Sequence, residues 1–303
     1  MLNNKMTRLL NAAIGFLILT LSLVFFGNIF NRQEVVKAVK QKEGKARNVF
    51  FGMELTAQAA YVYDISRQKT LYEKNSDLPL PIASLTKLMT ALTALSEAPR
   101  KTMVTIKKES LDKEGDTGLF VDEQWALDSL LEFTLLTSSN DGAAAVASAL
   151  GSPDAGFVEK MNARAKENGF QDAYFSNETG LDESEGSAGA YASAKGVALI
   201  MEKLIVKYPD IIEATAYPLG TFFSENGKVH NVENTNKSVK EIPGIFASKT
   251  GFTDLAGGNL VIAFDAGLGQ PVIVVILGGT RDGRFSDALE LSKRAREVIR
   301  LEL

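Results

Sequence analysis

The 303-residue chain contains no cysteine and a single histidine, His230. The absence of cysteine excludes thiol nucleophiles, thiolate zinc sites and disulfide bonds. One histidine also excludes a metal centre built from several imidazoles. We therefore expect neither a metal nor a cofactor, and a hydrolase made from this chain would use a base other than histidine.

An excess of positive charge is also missing. The formal net charge is -4 at pH 7, which argues against a protein that binds nucleic acid by neutralising phosphates. The hydrophobic fraction of 45% and the charged fraction of 23% are ordinary for a folded soluble domain. The length allows one large domain or two small ones.

One long apolar run is present, at residues 9–26, after Lys5 and Arg8. As a helix it would span roughly 27 Å, close to the thickness of the hydrocarbon layer of a membrane. It predicts either a cleaved signal peptide or an uncleaved anchor. The following GNIFNRQ has no small-x-small cleavage motif, which favours an anchor over residues 1–30. Residues 31–57 are predicted to be a polar, basic linker.

The folded part is predicted to cover residues 58–303. Strand-like segments occur near both of its ends, at residues 59–65, 70–75, 246–251, 258–266 and 271–280. Helical patterns lie between them, at residues 126–137, 142–151, 154–169 and 192–208, and a final amphipathic pattern covers residues 285–301. The economical solution is an α+β fold with one antiparallel sheet built from both chain ends, flanked by helices. A mostly helical subdomain is then inserted at about residues 100–240, and a site would lie in the cleft beside it.

The stretch PIASLTKLMTALTAL, residues 81–95, predicts a buried helix that begins near Ala83. Lys87 is the only charged residue from Ile82 to Ser96, and Ser84 precedes it by one helical turn. Burial would favour a neutral lysine, which could accept the proton of a serine nucleophile. The alternative is a surface lysine whose stem covers apolar neighbours. The S-x-x-K motif alone leaves both open.

Two later motifs favour the catalytic interpretation. LLTSSNDGAAA places Ser138 and Asn140 at the entry to a small-residue helix, and GIFASKTGF places Lys249 at the end of a strand. Taken singly, the first could be a helix cap and the second an ordinary strand end. The ordered set S-x-x-K, S-x-N, K-T-G is specific, and it is typical of penicillin-binding proteins and class A β-lactamases.

From about Gln58 onwards the chain resembles the low-molecular-mass penicillin-binding proteins, the serine D-alanyl-D-alanine carboxypeptidase family. PIASLTKLMTA is the family's usual run, and KTGFTDLAGGNLV resembles its block around K-T-G. FSNETGLD is similar to the family's N-P-x-G-L-D, with Glu178 in place of the usual proline. The resemblance implies a β-lactamase/transpeptidase-like fold. The small C-terminal β-domain of many members is not expected here.

The resemblance implies a role for each residue of the first two motifs. Ser84 would be the acylated nucleophile and Lys87 its general base. Ser138 would relay protons from the opposite wall of the cleft, and Asn140 would bind the peptide amide of the substrate. Lys249 would help to keep Lys87 neutral, because two nearby ammonium groups repel each other.

It also implies how the third motif acts. Lys249 and Thr250 would engage the terminal carboxylate, and Gly251 would allow close approach of the substrate strand. The backbone N–H groups of Ser84 and Phe252 would form the oxyanion hole.

The implied function is a membrane-anchored serine DD-peptidase, with its catalytic domain outside the cytoplasm, acting on peptidoglycan stem peptides and inhibited covalently by β-lactams. Cleavage of the N-terminus would instead give a secreted or periplasmic protein. A class A-like β-lactamase is the second reading; it needs a Glu-x-x-Leu-Asn loop, and Glu159 with Asn162 is one residue too short. A non-catalytic binder of cell-wall peptides is the third. Carboxypeptidase and endopeptidase activity are not separated, and His230 is predicted to be a structural or substrate-side residue.

Overall fold

The computed structural model describes residues 6, 37, 41, 44, 49–151, 156–267 and 269–302. Apart from residue 6, the predicted anchor lies outside these residues. None of the helices in the described part is long and apolar enough to cross a membrane. One compact unit runs from Gly52 to Ile299, and a second, small unit comprises Met1–Phe51 and Arg300–Leu303.

The described residues form twelve strands, which are named here in chain order: β1 (Ala59–Asp64), β2 (Lys69–Lys74), β3 (Leu80–Pro81), β4 (Met103–Thr105), β5 (Gln124–Ala126), β6 (Tyr174–Phe175), β7 (Ala190–Ala192), β8 (Leu219–Phe223), β9 (Val229–Glu233), β10 (Ile245–Thr253), β11 (Gly257–Asp265) and β12 (Pro271–Gly279). Between residues 86 and 302 they also form seven α-helices: α1 (Thr86–Glu97), α2 (Leu127–Thr137), α3 (Asn140–Leu150), α4 (Phe157–Glu167), α5 (Ala194–Lys207), α6 (Pro209–Glu213) and α7 (Gly283–Glu302). Three short 3-10 turns complete the described elements: Ala83–Leu85, Lys108–Asp112 and Ala214–Ala216.

The main sheet has five antiparallel strands in the order β10-β11-β12-β1-β2. It is built from both ends of the folded part, as the sequence predicted. The apolar run of β12 fills its centre, where Val274 pairs with Val62 of β1 and with Ile262 of β11. The helices between β2 and β10 form the inserted part, so the predicted α+β class is confirmed.

Successive residues of a strand point to opposite sides of the sheet. In the central strands nearly all successive residues are buried, so both faces of these strands are covered. Val261 and Ile273 face the main hydrophobic cluster, which also contains Val197 and Met201 of α5. The last helix packs on the other face, where the guanidinium of Arg296 lies 4.7 Å from the ring centre of Phe264. The three central strands β1, β11 and β12 therefore form a covered middle layer, which explains their nearly continuous apolar sequences.

Helix boundaries follow local capping. Ser193 accepts a hydrogen bond from the N–H of Gly196, 3.0 Å away, and starts α5 at the next residue. Ser139 caps α3 in the same way through the N–H of Gly142, 2.9 Å away. The hairpin of β8 and β9 and the short pair β4 and β5 were not predicted, since their strands are three to five residues long. The boundary at residues 57 and 58 stays a prediction.

Candidate active site

The predicted nucleophile lies in a 3-10 turn at the start of α1. Ser84 is the central residue of the turn Ala83–Leu85, and α1 begins two residues later. Ala83 has φ of +48°, an uncommon value for a residue with a Cβ, and its carbonyl accepts a hydrogen bond from Thr86 Oγ1 at 2.6 Å. Strained backbone of this kind clusters at functional sites. It aims the side chain of Ser84 at Lys87 in the first turn of the helix.

Lys87 is buried and surrounded by oxygen atoms. Its Nζ lies 2.9 Å from Ser84 Oγ, 2.6 Å from Asn140 Oδ1 and 2.8 Å from the carbonyl oxygen of Thr179. The orientation of the Asn140 amide is set by its Nδ2, which donates to the carbonyl of Glu114 at 2.6 Å. The amide and carbonyl oxygens can only accept hydrogen bonds. A neutral amine would therefore give its two N–H bonds to them and turn its lone pair towards the hydroxyl of Ser84.

Burial lowers the pKa of Lys87 to about 7, while the charges of Glu178 and Asp141 act in the opposite direction. A substantial neutral fraction is thus present at neutral pH. The repulsion expected between the two lysines lowers the pKa of Lys249 and not that of Lys87. The pKa of Lys249 is held well below its usual range by burial first, then by the charge of Lys87 and that of Arg284. Desolvation, rather than repulsion, is the main reason that Lys87 can be neutral.

The S-x-N motif is divided between the two lysines. Ser138 ends α2 in the left-handed conformation, with φ of +63°. Lys249 Nζ donates to Ser138 Oγ at 2.8 Å and to the carbonyl of Thr250 at 2.8 Å. Asn140 instead contacts Lys87, and Ser139 between them caps the helix. The left-handed conformation of Ser138 changes the direction of the chain, so that Ser138 contacts Lys249 whereas Asn140 contacts Lys87.

The K-T-G motif lies on the edge strand β10, beside the nucleophile turn. Thr250 Oγ1 is 2.6 Å from Thr235 Oγ1. A Cβ at Gly251 would be 2.8 Å from the carbonyl oxygen of Ile82 and 3.1 Å from the backbone nitrogen of Ser84. The glycine therefore lets β10 approach the turn that carries Ser84, which is a reason that the sequence did not reveal. Phe252 follows and is partly exposed.

Three contributors were missed by sequence reasoning. Thr179 takes part through a carbonyl, which has no side-chain signature. Its turn is held by Asn177 Oδ1, which accepts from the N–H of Gly180 at 2.7 Å. Glu178, the replacement for the usual proline, is ion-paired with Lys113 at 3.3 Å. Arg284, one helical turn before the buried Ala288 of α7, donates through Nη1 to the carbonyl of Gly251 at 2.5 Å. A charge on the buried side of an amphipathic helix is the signal that could have drawn attention to it.

His230 and the alternative β-lactamase residues lie elsewhere. His230 is buried among aromatic rings, and its Nε2 is 2.6 Å from Glu123 Oε1, an environment that favours the structural interpretation. Glu159 and Asn162 lie within α4, not in a loop. Asn162 Nδ2 and Oδ1 bond the backbone of Phe175 at 2.8 and 3.0 Å, so this amide secures strand β6.

Comparison with known proteins identifies relatives that match most of the folded part. Residues 41–281 match the family described as D-alanyl-D-alanine carboxypeptidase. The chain is 32% identical over 242 residues to D-alanyl-D-alanine carboxypeptidase DacF of Bacillus subtilis, and the alignment covers 78% of this chain and 61% of that protein. The chain thus spans less than two thirds of that relative. It is 29% identical over 277 residues to a D-alanyl-D-alanine endopeptidase of Pseudomonas aeruginosa, covering 90% of this chain and 87% of that protein.

Solved structures resemble it as well. A D-alanyl-D-alanine carboxypeptidase from Mycobacterium tuberculosis matches with a TM-score of 0.72 and 27% identity, covering 80% of this chain and 92% of that one. Penicillin-binding protein D2 from Listeria monocytogenes in its ampicillin-bound form matches with a TM-score of 0.69 and 32% identity, covering 80% of this chain and 98% of that one.

Proposed function

The chain belongs to the D-alanyl-D-alanine carboxypeptidase family, and on this premise we propose that it is a serine DD-peptidase that cleaves peptidoglycan stem peptides through an acyl-enzyme on Ser84. The observation that carries the proposal is the environment of Lys87. Its Nζ is 2.9 Å from Ser84 Oγ, and its other two contacts are with pure acceptors. With a pKa of about 7 it can take up the proton that Ser84 must lose.

In the first step, Ser84 Oγ attacks the carbonyl carbon of the penultimate D-alanine while its proton moves to Lys87 Nζ. The carbonyl oxygen becomes an oxyanion, which accepts hydrogen bonds from the backbone N–H groups of Ser84 and Phe252. Losing one such donor generally costs about 3 kcal/mol of transition-state stabilisation. Collapse of the intermediate breaks the C–N bond and leaves an ester on Ser84.

The leaving amine takes up the proton that Lys87 received from Ser84, with Ser138 as the proposed relay, and Lys87 is neutral again. The Oγ of Ser138 accepts a hydrogen bond from Lys249 Nζ at 2.8 Å. Water then attacks the ester carbon while the neutral Lys87 accepts a proton of the water, and Lys87 passes this proton to Ser84 Oγ as the ester C–O bond breaks and the product acid leaves. The reaction thus returns every group to its starting state.

The terminal carboxylate of the substrate would bind Lys249 and Thr250. The pKa of Lys249 is lowered chiefly by burial, and an arriving carboxylate acts in the opposite direction. Binding of the substrate carboxylate would therefore raise the pKa of Lys249 and favour the ammonium form that binds it. Asn140 would contact the peptide amide beside Lys87.

A fluorescent penicillin tests the acyl-enzyme. We expect covalent labelling of the native protein, none of Ser84→Ala, and undiminished labelling of Ser96→Ala. Ser96 is a suitable control because it lies on the same helix and only bonds the carbonyl of Leu92, at 2.8 Å. Equal labelling of Ser84→Ala would refute the proposal, and rapid release of hydrolysed drug would favour a β-lactamase instead.

The bond that is cleaved can be identified by mass spectrometry. A pentapeptide and a crosslinked dimer are offered separately to the enzyme. Loss of D-alanine from the first marks a carboxypeptidase, and division of the second marks an endopeptidase. Relatives of both kinds are found.

We further propose that residues 1–30 anchor the protein in the cell membrane, with the catalytic domain outside the cytoplasm. The support is the apolar run at residues 9–26 and the location of the peptidoglycan substrate. Mature protein should sediment with membranes and keep its first residues. A soluble form that begins after residue 27 would overturn the anchor.

A further inference from the structure

Arg284 is a buried cation that sits directly behind the proposed active site. Only 8% of its surface is exposed, and its Nη1 donates to the carbonyl of Gly251 at 2.5 Å. Its Nε is buried without a hydrogen-bond partner, and no carboxylate in the described part of the chain forms an ion pair with it. Its guanidinium carbon lies 4.7 Å from the ring centre of Phe285, but one carbonyl and one aromatic ring offset only part of the hydration that a buried charge loses.

Its position in α7 adds to the cost. Arg284 is the second residue of the helix Gly283–Glu302. The N-terminal end of a helix carries a partial positive charge, so cations are unfavourable there. Burial, followed by the charge of Arg281, lowers the pKa of Arg284 to about 10, while the charge of Asp282 acts in the opposite direction. The guanidinium therefore remains charged at neutral pH, at a place where both desolvation and the helix dipole oppose it.

The atom that it holds belongs to a special peptide group. The carbonyl of Gly251 and the N–H of Phe252 are the two ends of one planar, trans peptide, so they point in opposite directions. Fixing the carbonyl on one side fixes the direction of the N–H on the other side. Gly251 has no Cβ to restrict rotation, so the bond from Arg284 adds a constraint on this peptide to the pairing of Gly251 with Asn259 and of Phe252 with Gly258.

We propose that Arg284 is a positioning residue that orients and polarises the Gly251–Phe252 peptide, so that the N–H of Phe252 points at the oxyanion formed on Ser84. A charged donor on the carbonyl draws electron density from the amide and strengthens the hydrogen bond that its N–H gives, as in chains of hydrogen bonds. The guanidinium itself touches neither the nucleophile nor the general base. This role rests on the proposed acyl-enzyme mechanism.

The chain offers a matched control. Arg296 lies on the same helix, and its Nη1 donates to another strand carbonyl, that of Asp265, at 2.8 Å. Burial also lowers its pKa. Asp265 is at the opposite end of the sheet from the K-T-G motif, because it pairs with Pro271 while Gly258, opposite Phe252, pairs with Gly279. Arg296 Nη2 also donates to the carbonyl of Pro243. Arg296→Met therefore removes guanidinium–carbonyl bonds of the same kind away from the site.

The test compares Arg284→Met with Arg296→Met, using a chromogenic penicillin and urea unfolding. Loss of a whole oxyanion donor lowers rates about 10²- to 10³-fold; here the donor stays but loses its orientation, so we expect acylation to slow by about 10- to 100-fold. Arg296→Met should acylate at the native rate. The dissociation constant of the initial non-covalent complex should not change in Arg284→Met. Its stability should be equal to or above that of the native protein, because an apolar side chain of similar length replaces an unpaired charge.

Infrared spectra of the acyl-enzyme give a readout that a merely structural residue would not move. Hydrogen bonds from the oxyanion hole lower the stretching frequency of the ester carbonyl. Relative to the native acyl-enzyme, this carbonyl band should move to higher frequency in Arg284→Met and should keep its frequency in Arg296→Met. If native protein forms no acyl-enzyme, the proposed function fails. If it forms one and Arg284→Met has the same rate and band, only the role of Arg284 fails.

A second variant protects the test against misfolding. Should Arg284→Met not fold, Arg284→Gln removes the charge with less change in polarity, and we again expect slower acylation and the shifted band. Native behaviour of a folded Arg284→Gln would overturn the proposal. Failure of both variants to fold would overturn it too, since Arg284 would then be needed for the structure itself.

Discussion

The interior of the main sheet and the interior of the cleft are buried to the same degree but hold opposite kinds of side chain. Ile273 and Val274 of β12 are fully buried, and they pair with apolar residues on both sides. In the cleft, Lys87 and Lys249 are each only 1% exposed, and within the described residues neither has a carboxylate at ion-pair distance.

The two interiors do different work. Burial of apolar area in the sheet stabilises the fold, by about 25 cal/mol for each Å² removed from water. Burial of an amine without an ion pair destabilises it, but changes the amine into a base. The sheet therefore carries stability and the cleft carries reactivity, and substitutions should separate these two properties.

The largest separation is expected for Lys87→Met. Removal of a general base lowers acylation by about 10²- to 10⁴-fold. The free energy of unfolding should stay the same or rise, because the variant no longer buries an amine. Acylation is followed with a fluorescent penicillin and stability by urea titration. A variant that is both fully active and less stable would place Lys87 with the structural residues, and the comparison would collapse.

The opposite result, a loss of stability without a loss of acylation, is expected for Ile273→Ala in the sheet. Shortening a fully buried isoleucine leaves a cavity and costs about 2–5 kcal/mol of stability. Ile273 pairs with Tyr63 and Ala263, at the end of the sheet away from K-T-G. Acylation per folded molecule should therefore equal that of the native protein. A large loss of acylation at unchanged stability would show that the two interiors are not independent.

The sequence was sufficient for those parts of the molecule that side-chain pattern encodes. Apolar strands at both chain ends predicted the central sheet. The ordered motifs predicted Ser84, Lys87 and Lys249, which the structure places in one cleft. The helical pattern at residues 192–208 agrees with α5, which Ser193 caps by accepting a hydrogen bond from the N–H of Gly196.

Contacts that depend on tertiary approach were not accessible. The carbonyl of Thr179 reaches Lys87 across 92 positions of sequence, and any residue type supplies a carbonyl. The close contact of Gly251 with the turn of Ser84 requires the distance between two separate elements. The bond from Arg284 to Gly251 likewise spans 33 positions. The sequence named Lys87, Ser84 and Gly251 but not Thr179 or Arg284, and in all three cases the contact itself came only from the geometry.

The protonation of Lys87 should affect both the acylation rate and the stability, and the pH dependence of each can be measured separately. In the proposed mechanism acylation needs neutral Lys87, so its rate should rise as the pH passes through about 7 and then level off. Lys87 has an ordinary pKa of 10.5 when unfolded, so between about 7 and 10.5 the unfolded state binds more protons than the folded state. Stability contributed by this residue therefore rises with pH across that window. Paired profiles of Lys87→Met should lack the kinetic step and gain less stability between pH 7 and 10.

The smallest effect is expected at the border of the cleft, for Glu178→Gln. The charge of Glu178 raises the pKa of Lys87, so its removal should move the acylation profile to lower pH. Because Lys113 lies 3.3 Å from the carboxylate and partly offsets its charge, we expect only a two- to threefold faster rate near pH 6, well below the roughly tenfold effect of a full pKa unit.

The partner and a remote carboxylate supply the controls for this small shift. Lys113→Met leaves the charge of Glu178 uncompensated and should move the profile to higher pH, opposite to Glu178→Gln. Glu159→Gln, on the exposed side of α4, should not move it. Shifts of the same sign in Glu178→Gln and Lys113→Met would mean that packing around Thr179, whose carbonyl contacts Lys87, sets the profile rather than charge. Opposite shifts would show that the charge of Glu178, a residue outside the three motifs, contributes to the pKa of Lys87. The turn at Glu178 would then belong to the reactive part of the molecule as well as to its structure.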